Sequence, residues 1–423
     1  MLNHDPSEYI RGIKQILISD KKRIGFLFGA GSSLATKSDK TLTVPAIGKM
    51  TQMIVKAVGD SDSRFKTALE QIESDMGADR FNVETLLSNL EQKVAFIGSE
   101  KLNGLQKEDF ERLITNIKKN IREIVSVHKV GNDIVPQDIV DDLVHTDFAD
   151  WIQHAERKYP IEIFTTNYDF LFELGLEQKE IPYYDGFCGS LRPFFNPESV
   201  EDLSFLSKQT KLWKIHGSLG WRFDKATEKI LRVNPDDEDL LIYPSSLKYK
   251  DSKKQPYESL LDRLSNFLRA DDSILITCGY SWGDEHINSR IISSLRTQTT
   301  SHVIGLIFDE YSPLEIASDL SRLGMANSKI SLYGSRSAVI GCKFAEWRLK
   351  SEPSPDDTIT LNSYFDEDAH SDQNDPIGKK VTGEEVWTGK GKFLLSDFAQ
   401  LVAFLNALVS DNEIKKLGEH VKK

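Results

Sequence analysis

Cysteine is scarce in this chain. Only three of its 423 residues are cysteines, and they stand far apart as Cys188, Cys278 and Cys342. Three isolated cysteines can supply neither a framework of disulfide bonds nor the paired Cys-x-x-Cys ligands of a structural zinc site. The sequence therefore does not indicate a disulfide-stabilised secreted protein, and we expect a reducing, cytoplasmic compartment.

Long hydrophobic runs and excess positive charge are missing as well. No apolar segment approaches the roughly 20 residues that a membrane-spanning helix needs, and residues 1–12 lack the apolar core of a signal peptide. The 53 lysines and arginines are outnumbered by 65 aspartates and glutamates, which gives a formal net charge of −12. Because a nucleic-acid-binding surface is usually basic, we expect neither membrane association nor direct nucleic-acid binding.

Apolar residues make up 39% of the chain, which is enough for a substantial core. Short apolar runs alternate with segments of helical periodicity, which predicts an α/β fold with a doubly wound parallel sheet of the Rossmann type. We expect this domain over residues 1–350, with a helical insertion at about 45–157. Residues 351–385, rich in Ser, Asp, Pro and Thr, predict a linker or mobile segment, and 386–423 predict a C-terminal helical extension.

Four short segments each place small polar residues directly after an apolar run. They are Gly29-Ala30-Gly31-Ser32, Thr165-Thr166-Asn167-Tyr168-Asp169, His216-Gly217 and Gly279-Tyr280-Ser281, the last followed by Asp284. In an open parallel sheet, ligands bind at the edge where the strands end and the loops begin. The four segments therefore predict one composite pocket, suited to a ligand that contains phosphate.

Each segment also has a plainer interpretation when it is taken alone. Glycines after a strand let a backbone approach a pyrophosphate, but they also form ordinary strand-to-helix turns. Asn167 and Asp169 can be turn and helix-cap residues, and Asp284 can simply cap the helix that follows. An imidazole suits a general base, although a single histidine such as His216 is more often structural. No second cluster with ligand spacing accompanies Asp284 and His286, so we expect no metal there.

Taken together and in this order, the segments resemble motifs of the sirtuin family, and specifically the zinc-free sirtuin-like domains of bacterial defence proteins. Residues 29–32 are similar to the GAGxS loop of that family, and 165–169 to its TQNxD segment with Thr166 in place of Gln. His216-Gly217 resembles its HG pair, and 279–281 its GTS loop. The stretch from Trp282 to Asn288 resembles an extension of the bacterial branch. The resemblance covers roughly residues 20–310.

The resemblance implies NAD as the ligand and a role for each segment. The loop at 29–32 would hold the pyrophosphate. Asn167 would orient the nicotinamide ribose and the attacking water, Asp169 would contact the carboxamide, and His216 would be the general base on the ribose hydroxyls. The adenosine side would be held by the remaining set, Gly279, Ser281 and Asp284.

This sequence also departs from the deacetylating sirtuins. Their two zinc-binding cysteine pairs are absent, and the loop that continues there with Asp-Phe-Arg reads Leu34-Ala35-Thr36-Lys37 here. We therefore expect no zinc and no protein deacetylation. The implied reaction is NAD glycohydrolysis, in which water attacks the anomeric carbon and nicotinamide and ADP-ribose are released. It needs orientation and a positioned base more than a strong nucleophile.

By the same resemblance, the enzyme would deplete cellular NAD in antiphage defence by abortive infection. We expect a homo-oligomer and, as a partner, a HerA-type hexameric ATPase, with the helical insertion and the C-terminal helix as candidate contact surfaces. Two alternatives stay open from the residues. One is an ADP-ribosyltransferase that uses the same Asn167 and His216. The other is a non-catalytic scaffold that binds NAD or ADP-ribose and regulates the ATPase.

Overall fold

The computed structural model describes residues 3–98, 100–155, 157–206, 208–224, 226–234, 255–309, 314–352, 364–366 and 387–409. Most of the segment 351–385, for which the sequence predicts a linker, and the end of the extension 386–423 lie outside these described residues. Among the described residues, every helix is too short or too polar to span a bilayer.

The elements of regular structure alternate along most of the chain. The strands are β1 (Asn3–His4), β2 (Arg23–Phe28), β3 (Lys129–Val130), β4 (Asp133–Ile134), β5 (Glu162–Thr165), β6 (Tyr183–Tyr184), β7 (Phe187–Cys188), β8 (Phe194–Phe195), β9 (Thr210–Lys214), β10 (Trp221–Asp224), β11 (Lys229–Arg232), β12 (Ser273–Cys278), β13 (His302–Leu306), β14 (Ile330–Tyr333), β15 (Ser337–Ile340), β16 (Lys343–Trp347), β17 (Phe365–Asp366) and β18 (Lys392–Phe393). The α-helices are α1 (Pro6–Ile18), α2 (Ile47–Ser61), α3 (Ser63–Met76), α4 (Val83–Phe96), α5 (Lys107–Val125), α6 (Gln137–Asp141), α7 (Val144–His154), α8 (Leu171–Gln178), α9 (Pro197–Glu201), α10 (Tyr257–Arg269), α11 (Glu285–Thr297), α12 (Asp319–Met325) and α13 (Phe398–Val409).

A ten-stranded sheet forms the centre of the molecule, in the order β1-β16-β15-β14-β13-β12-β2-β5-β9-β6. The pairs from β14 through to β6 are all parallel. Near the other edge β15 alone runs against its neighbours, because it is antiparallel to both β14 and β16. The predicted α/β class with a parallel Rossmann-type sheet is confirmed.

Helices cover both faces of this sheet because side chains alternate along each strand. In β2, Ile24, Phe26 and Phe28 face a core shared with α1, α7, α8 and α13. Leu27 faces the opposite core, which α10 and α11 close. Gly25 lies on that second face, where an added Cβ would stand 2.7 Å from the Phe267 ring. The sheet is therefore wound on both sides, as the alternating apolar runs predict.

The segment between β2 and β5 is mainly helical and has a core of its own. Helices α2 to α5 bury a set of aliphatic and aromatic side chains that includes Ile54, Phe65, Leu86 and Ile117. The segment near 136–157, where the sequence has a helical period, forms two helices, α6 and α7. Leu171 at the start of α8 joins the same core, so this helical layer rests directly on the sheet edge that carries the sequence motifs.

The last described helix, α13, is part of the main core. Phe398 packs against Phe28 with the ring centroids 5.0 Å apart, and Leu401 and Leu405 are fully buried. The beginning of the chain is tied in as well, since β1 pairs with β16 through Asn3 opposite Glu346. Both ends of the described chain thus contribute to one folded unit.

A separate four-stranded antiparallel sheet stands beside the main one, in the order β10-β11-β8-β7. Its strands come from the chain between β6 and α10, a stretch that also supplies β9 to the main sheet. Trp221, Phe187 and Phe195 from this small sheet pack into the same core as Trp213 of β9. The small sheet is thereby fixed against the edge of the main sheet next to His216.

Candidate functional site

The strand order brings the four sequence motifs to one edge of the sheet. Their strands are β12, β2, β5 and β9, which are direct neighbours and all parallel. After the short edge strand β1, the chain enters the middle of the sheet with β2, continues on one side to β5 and β9, and fills the other side with β12 and β13. The boundary between β2 and β12 is therefore a switch point, the place where α/β sheets open a ligand crevice.

Glycine is required where the loops after β2 and β12 touch. The Gly31 N–H donates to the Gly279 carbonyl oxygen at 3.0 Å, and the Gly29 N–H donates to the Cys278 carbonyl oxygen at 3.3 Å. A Cβ added at Gly31 would lie 2.6 Å from Gly279 Cα, and one at Gly29 would lie 2.5 Å from the Gly279 oxygen. Gly279 itself has a φ of +63°, which disfavours any side chain. These glycines are explained by loop-to-loop packing before any ligand is considered.

Asn167 is held rigidly against the same glycine loop, which forms a 3₁₀ turn over Ala30–Leu34. Its Nδ2 group donates to the Gly29 carbonyl oxygen at 3.1 Å, to Ser32 Oγ at 3.0 Å and to Ser33 Oγ at 2.8 Å. Because three acceptors surround the nitrogen, the orientation of the amide is set by its partners. The carbonyl oxygen at the other end of the amide can only accept hydrogen bonds.

Asp169 is buried and fully engaged with the protein. It is 3% exposed, accepts a hydrogen bond from Ser33 Oγ at 2.7 Å, and accepts another from the backbone N–H of Leu171 at 3.1 Å. Asp169 thus joins the start of α8 to the glycine loop. Ser33, which was not among the predicted site residues, links Asn167 to Asp169. Its signal in the sequence was its place as the final serine of the GAGxS pattern, one residue beyond the four residues 29–32.

His216 pairs with Asp284 across the site. His216 Nε2 lies 2.9 Å from Asp284 Oδ2, and the side chains are 15% and 25% exposed. The other oxygen of Asp284 accepts from the backbone N–H groups of His286 and Ile287 at 2.9 and 3.1 Å, which caps α11. Burial by itself raises the pKa of Asp284, but the hydrogen bond and charge of His216 and the two N–H groups outweigh it. They hold the pKa of this carboxyl well below its usual range.

This pairing settles how the imidazole is protonated. An ionised carboxylate only accepts hydrogen bonds, so the His216 Nε2 atom must carry a hydrogen. In the neutral ring the lone pair is then on Nδ1, which makes Nδ1 the nitrogen that can accept a proton. The sequence analysis placed Asp284 with the adenosine side. The structure brings it to His216, 68 positions away in sequence.

The loop from 279 to 288 is tightly braced apart from Ser281. Tyr280 Oη donates to Asn288 Oδ1 at 2.9 Å, and Asn288 Nδ2 donates to the Trp282 carbonyl oxygen at 2.6 Å. Trp282 takes a positive φ of +59° and is buried. Ser281 is exposed, and its Oγ accepts the Gly283 N–H at 3.3 Å. Of the predicted residues in this loop, Ser281 is thus the one turned to solvent.

Lys214, a buried lysine beneath the site, was not among the residues predicted from the sequence. Lys214 Nζ is 2.7 Å from Glu173 Oε1 and also donates to the main-chain oxygen of Asp169. The Lys214 and Glu173 side chains are only 3% and 14% exposed. A lysine at the end of a strand has no specific sequence signal of this kind, because its partner Glu173 comes from helix α8. Within the described ranges, no three His, Cys, Asp or Glu side chains are grouped to hold a metal ion.

Comparison with known proteins identifies part of this chain. A family model described as SIR2-like domain matches residues 161–327, which include Asn167, His216 and Asp284. A solved structure described as "Structural Basis for the Mechanism and Regulation of Sir2 Enzymes" is similar at 10% sequence identity and a TM-score of 0.31, covering 72% of this chain and 88% of that chain. No curated protein matches. The chain thus carries a sirtuin-like domain.

Proposed function

We propose that this sirtuin-like domain is an NAD glycohydrolase, which cleaves NAD to nicotinamide and ADP-ribose. The observation that carries the proposal is the pair His216 and Asp284, 2.9 Å apart, at the sheet edge that also holds Asn167. The SIR2-like match includes all three residues, and SIR2-like domains use NAD. Hydrolysis at an anomeric carbon is accelerated by orientation of the reactants and by a positioned base, which the Asn167 amide and His216 are suited to supply.

His216 would act through its Nδ1 atom. The N-glycosidic bond breaks as its electron pair leaves with nicotinamide, and the oxygen of water forms the new bond to the anomeric carbon. The attacking water loses a proton to Nδ1 of His216. The imidazolium that results is stabilised by the Asp284 carboxylate. Asp284 is thus a positioning residue, which fixes the tautomer of His216 and balances its charge.

Asn167 would orient the substrate through its carbonyl oxygen. Three hydrogen bonds from Nδ2 hold the amide in place, so little conformational freedom is lost when it accepts from a ribose hydroxyl or from water. The glycine loop at 29–32 would lie along the pyrophosphate, with Ser281 and Gly279 nearer the adenosine. Asp169, buried and paired with Ser33, would contribute to the carboxamide end by fixing the chain around Asn167.

The experiment is NAD turnover by the purified full chain, with nicotinamide and ADP-ribose separated by chromatography. Asn167→Ala and His216→Ala are compared with His154→Ala, which alters an exposed histidine on α7. Equal release of both products, lost in the first two variants and kept in the third, supports hydrolysis. ADP-ribose found on macromolecules would indicate a transferase instead. NAD binding without turnover under any condition would leave a nucleotide-binding scaffold.

The biological setting of the reaction is part of the same proposal. The motif resemblance to bacterial defence proteins supports depletion of cytoplasmic NAD in abortive infection, by a homo-oligomer with a HerA-type ATPase as its partner. The assay is therefore repeated with the ATPase encoded nearest to this chain. Co-elution with the ATPase and a change in turnover would support this partner, and separate elution would remove it.

A further inference from the structure

A cavity of about 370 Å³ lies away from the four motifs, between α8, the β3–β4 hairpin, β6 and the small sheet. Its volume is near the lower end of the range for small-molecule pockets, roughly 300–1,000 Å³. None of its lining residues belongs to the motif segments, although Phe170 and Ser218 directly follow two of them. The cavity is thus a distinct concave site whose walls come from three parts of the chain.

Aromatic rings and carboxylates dominate the lining. Phe170, Tyr183 and Trp221 supply the rings. Four carboxylates, Asp133, Glu173, Glu177 and Asp185, face two cationic side chains, Lys129 and Arg232. Arg232 is already paired with Asp185 at 2.5 Å. Aromatic faces and excess negative charge together favour a ligand with a positive charge.

Glu173 presents an acceptor that the protein itself does not satisfy. Its Oε1 atom accepts from Lys214 at 2.7 Å. Its Oε2 atom is buried and has no hydrogen-bond partner in the part of the chain that the structure describes. A buried acceptor without a donor is unfavourable, and a ligand N–H group would remove that penalty. The Glu173 side chain is only 14% exposed, and this burial raises its pKa against the opposing effect of Lys214.

We propose that this cavity binds a small organic ammonium compound with an aromatic or apolar body. The ammonium group donates to Glu173 Oε2, and the body packs between Phe170 and Trp221. The site does not depend on NAD cleavage. It is separate from the His216 pair, so a failure of the hydrolase assay leaves it unaffected.

The test uses phenethylammonium as the probe and its neutral isostere 2-phenylethanol, titrated by calorimetry into the full chain at neutral pH without NAD. We expect one saturable site for the cation and binding at least about tenfold weaker for the alcohol. Glu173→Gln keeps the size of the side chain and should reduce the affinity for the cation by about tenfold, with little change for the alcohol.

A second pair of variants avoids the buried ion pair of Glu173. Ile134 lines the cavity and is 70% exposed, whereas Val130, 64% exposed on the same hairpin, does not line it. Ile134→Lys should reduce the affinity for the cation by several-fold through charge repulsion at close range, and Val130→Lys should leave the affinity unchanged. The proposal is overturned if the wild-type chain does not bind the cation, if the alcohol binds equally well, or if Ile134→Lys and Val130→Lys behave alike.

Discussion

Replacing Gly31 by alanine tests whether the glycine loop is set by packing. The new Cβ would stand 2.6 Å from Gly279 Cα, where an ordinary contact begins at 3.4 Å. The loops after β2 and β12 would have to separate by the difference, 3.4 − 2.6 = 0.8 Å. The hydrogen bond from the Gly31 N–H to the Gly279 oxygen, now 3.0 Å long, would be stretched beyond its normal range.

The expected loss of stability follows from these two effects. Overpacking against backbone that cannot rotate away costs about 1–3 kcal/mol, and a weakened buried hydrogen bond adds about 1 kcal/mol. We therefore expect Gly31→Ala to reduce the free energy of unfolding by about 2–4 kcal/mol. The matched control is Gly48→Ala in the first turn of α2, where an added Cβ has nothing within 4 Å. Alanine there should be neutral or stabilise by up to about 1 kcal/mol.

The measurement is the denaturant midpoint of both variants at unchanged slope, made without any nucleotide. A Gly31→Ala protein as stable as the Gly48→Ala protein would refute the packing argument. The glycine would then be needed only for the close approach of a ligand, and the variant should lose NAD binding while keeping its stability.

Three further predictions concern the site and its support. Asp284→Asn keeps the helix cap, because Asn caps as well as Asp, but removes the charge beside His216. The variant should lose some stability yet remain folded, and its NAD turnover should fall by about 10²-fold; unchanged turnover in the folded variant would contradict the assigned role. His145 is buried, and burial lowers its pKa to about 4, so the unfolded chain binds the extra proton between pH 6.5 and 4. The contribution of His145 to the free energy of unfolding is thus complete above pH 6.5 and should fall by on the order of 3 kcal/mol as the pH drops to 4. When the free energy of unfolding is measured across this range, it should depend less steeply on pH in His145→Leu. In the exposed control His154→Leu, the steeper pH dependence should persist. Phe398→Ala should lower the free energy of unfolding by about 3–5 kcal/mol, measured by thermal or chemical denaturation. Ala403→Ser, on the exposed side of α13, should change it by no more than about 0.5 kcal/mol. Equal effects of the two substitutions would mean that α13 does not support the core.

The parallel sheet could be predicted from the sequence because the pattern that marks each of its strands is local. Each buried strand is a short apolar run, such as Ile24–Phe28, that ends in small polar residues. The helical connections between such strands return the chain to the same edge of the sheet, so that the strands run in one direction. The convergence of the motifs at one edge follows from that direction alone. It did not require knowledge of which strand neighbours which.

The pairing of His216 with Asp284 could not be predicted in the same way. It depends on the order β12-β2-β5-β9 and on the turn that brings the start of α11 over β9, and neither has a local sequence signature. The same holds for Lys214, whose partners Glu173 and Asp169 come from the neighbouring strand and helix. Ser33 was within reach, because a hydroxyl directly after the glycine loop is suited to hydrogen bond with a neighbouring strand end.

The C-terminal helix shows a limit of another kind. Its apolar pattern over Phe398, Leu401 and Leu405 is equally consistent with a partner contact and with a core helix. The structure places these side chains on Phe28 and its neighbours. Deleting residues 386–423 would therefore remove part of the core, and it is not a clean test of partner binding. Substitutions confined to exposed positions, such as Ala403, are the better choice.

The contribution of residues from both ends of the described chain bears on how this protein folds during synthesis. Strand β1 pairs with β16, and α13 joins α1, α7 and α8 in covering the face of β2 that carries Phe28. A nascent chain that has not yet reached residue 405 leaves part of this apolar face uncovered. The glycine loop and Asn167 stand on that same sheet. The candidate site would thus be fully supported only once translation has reached α13, well after all of its own residues have emerged.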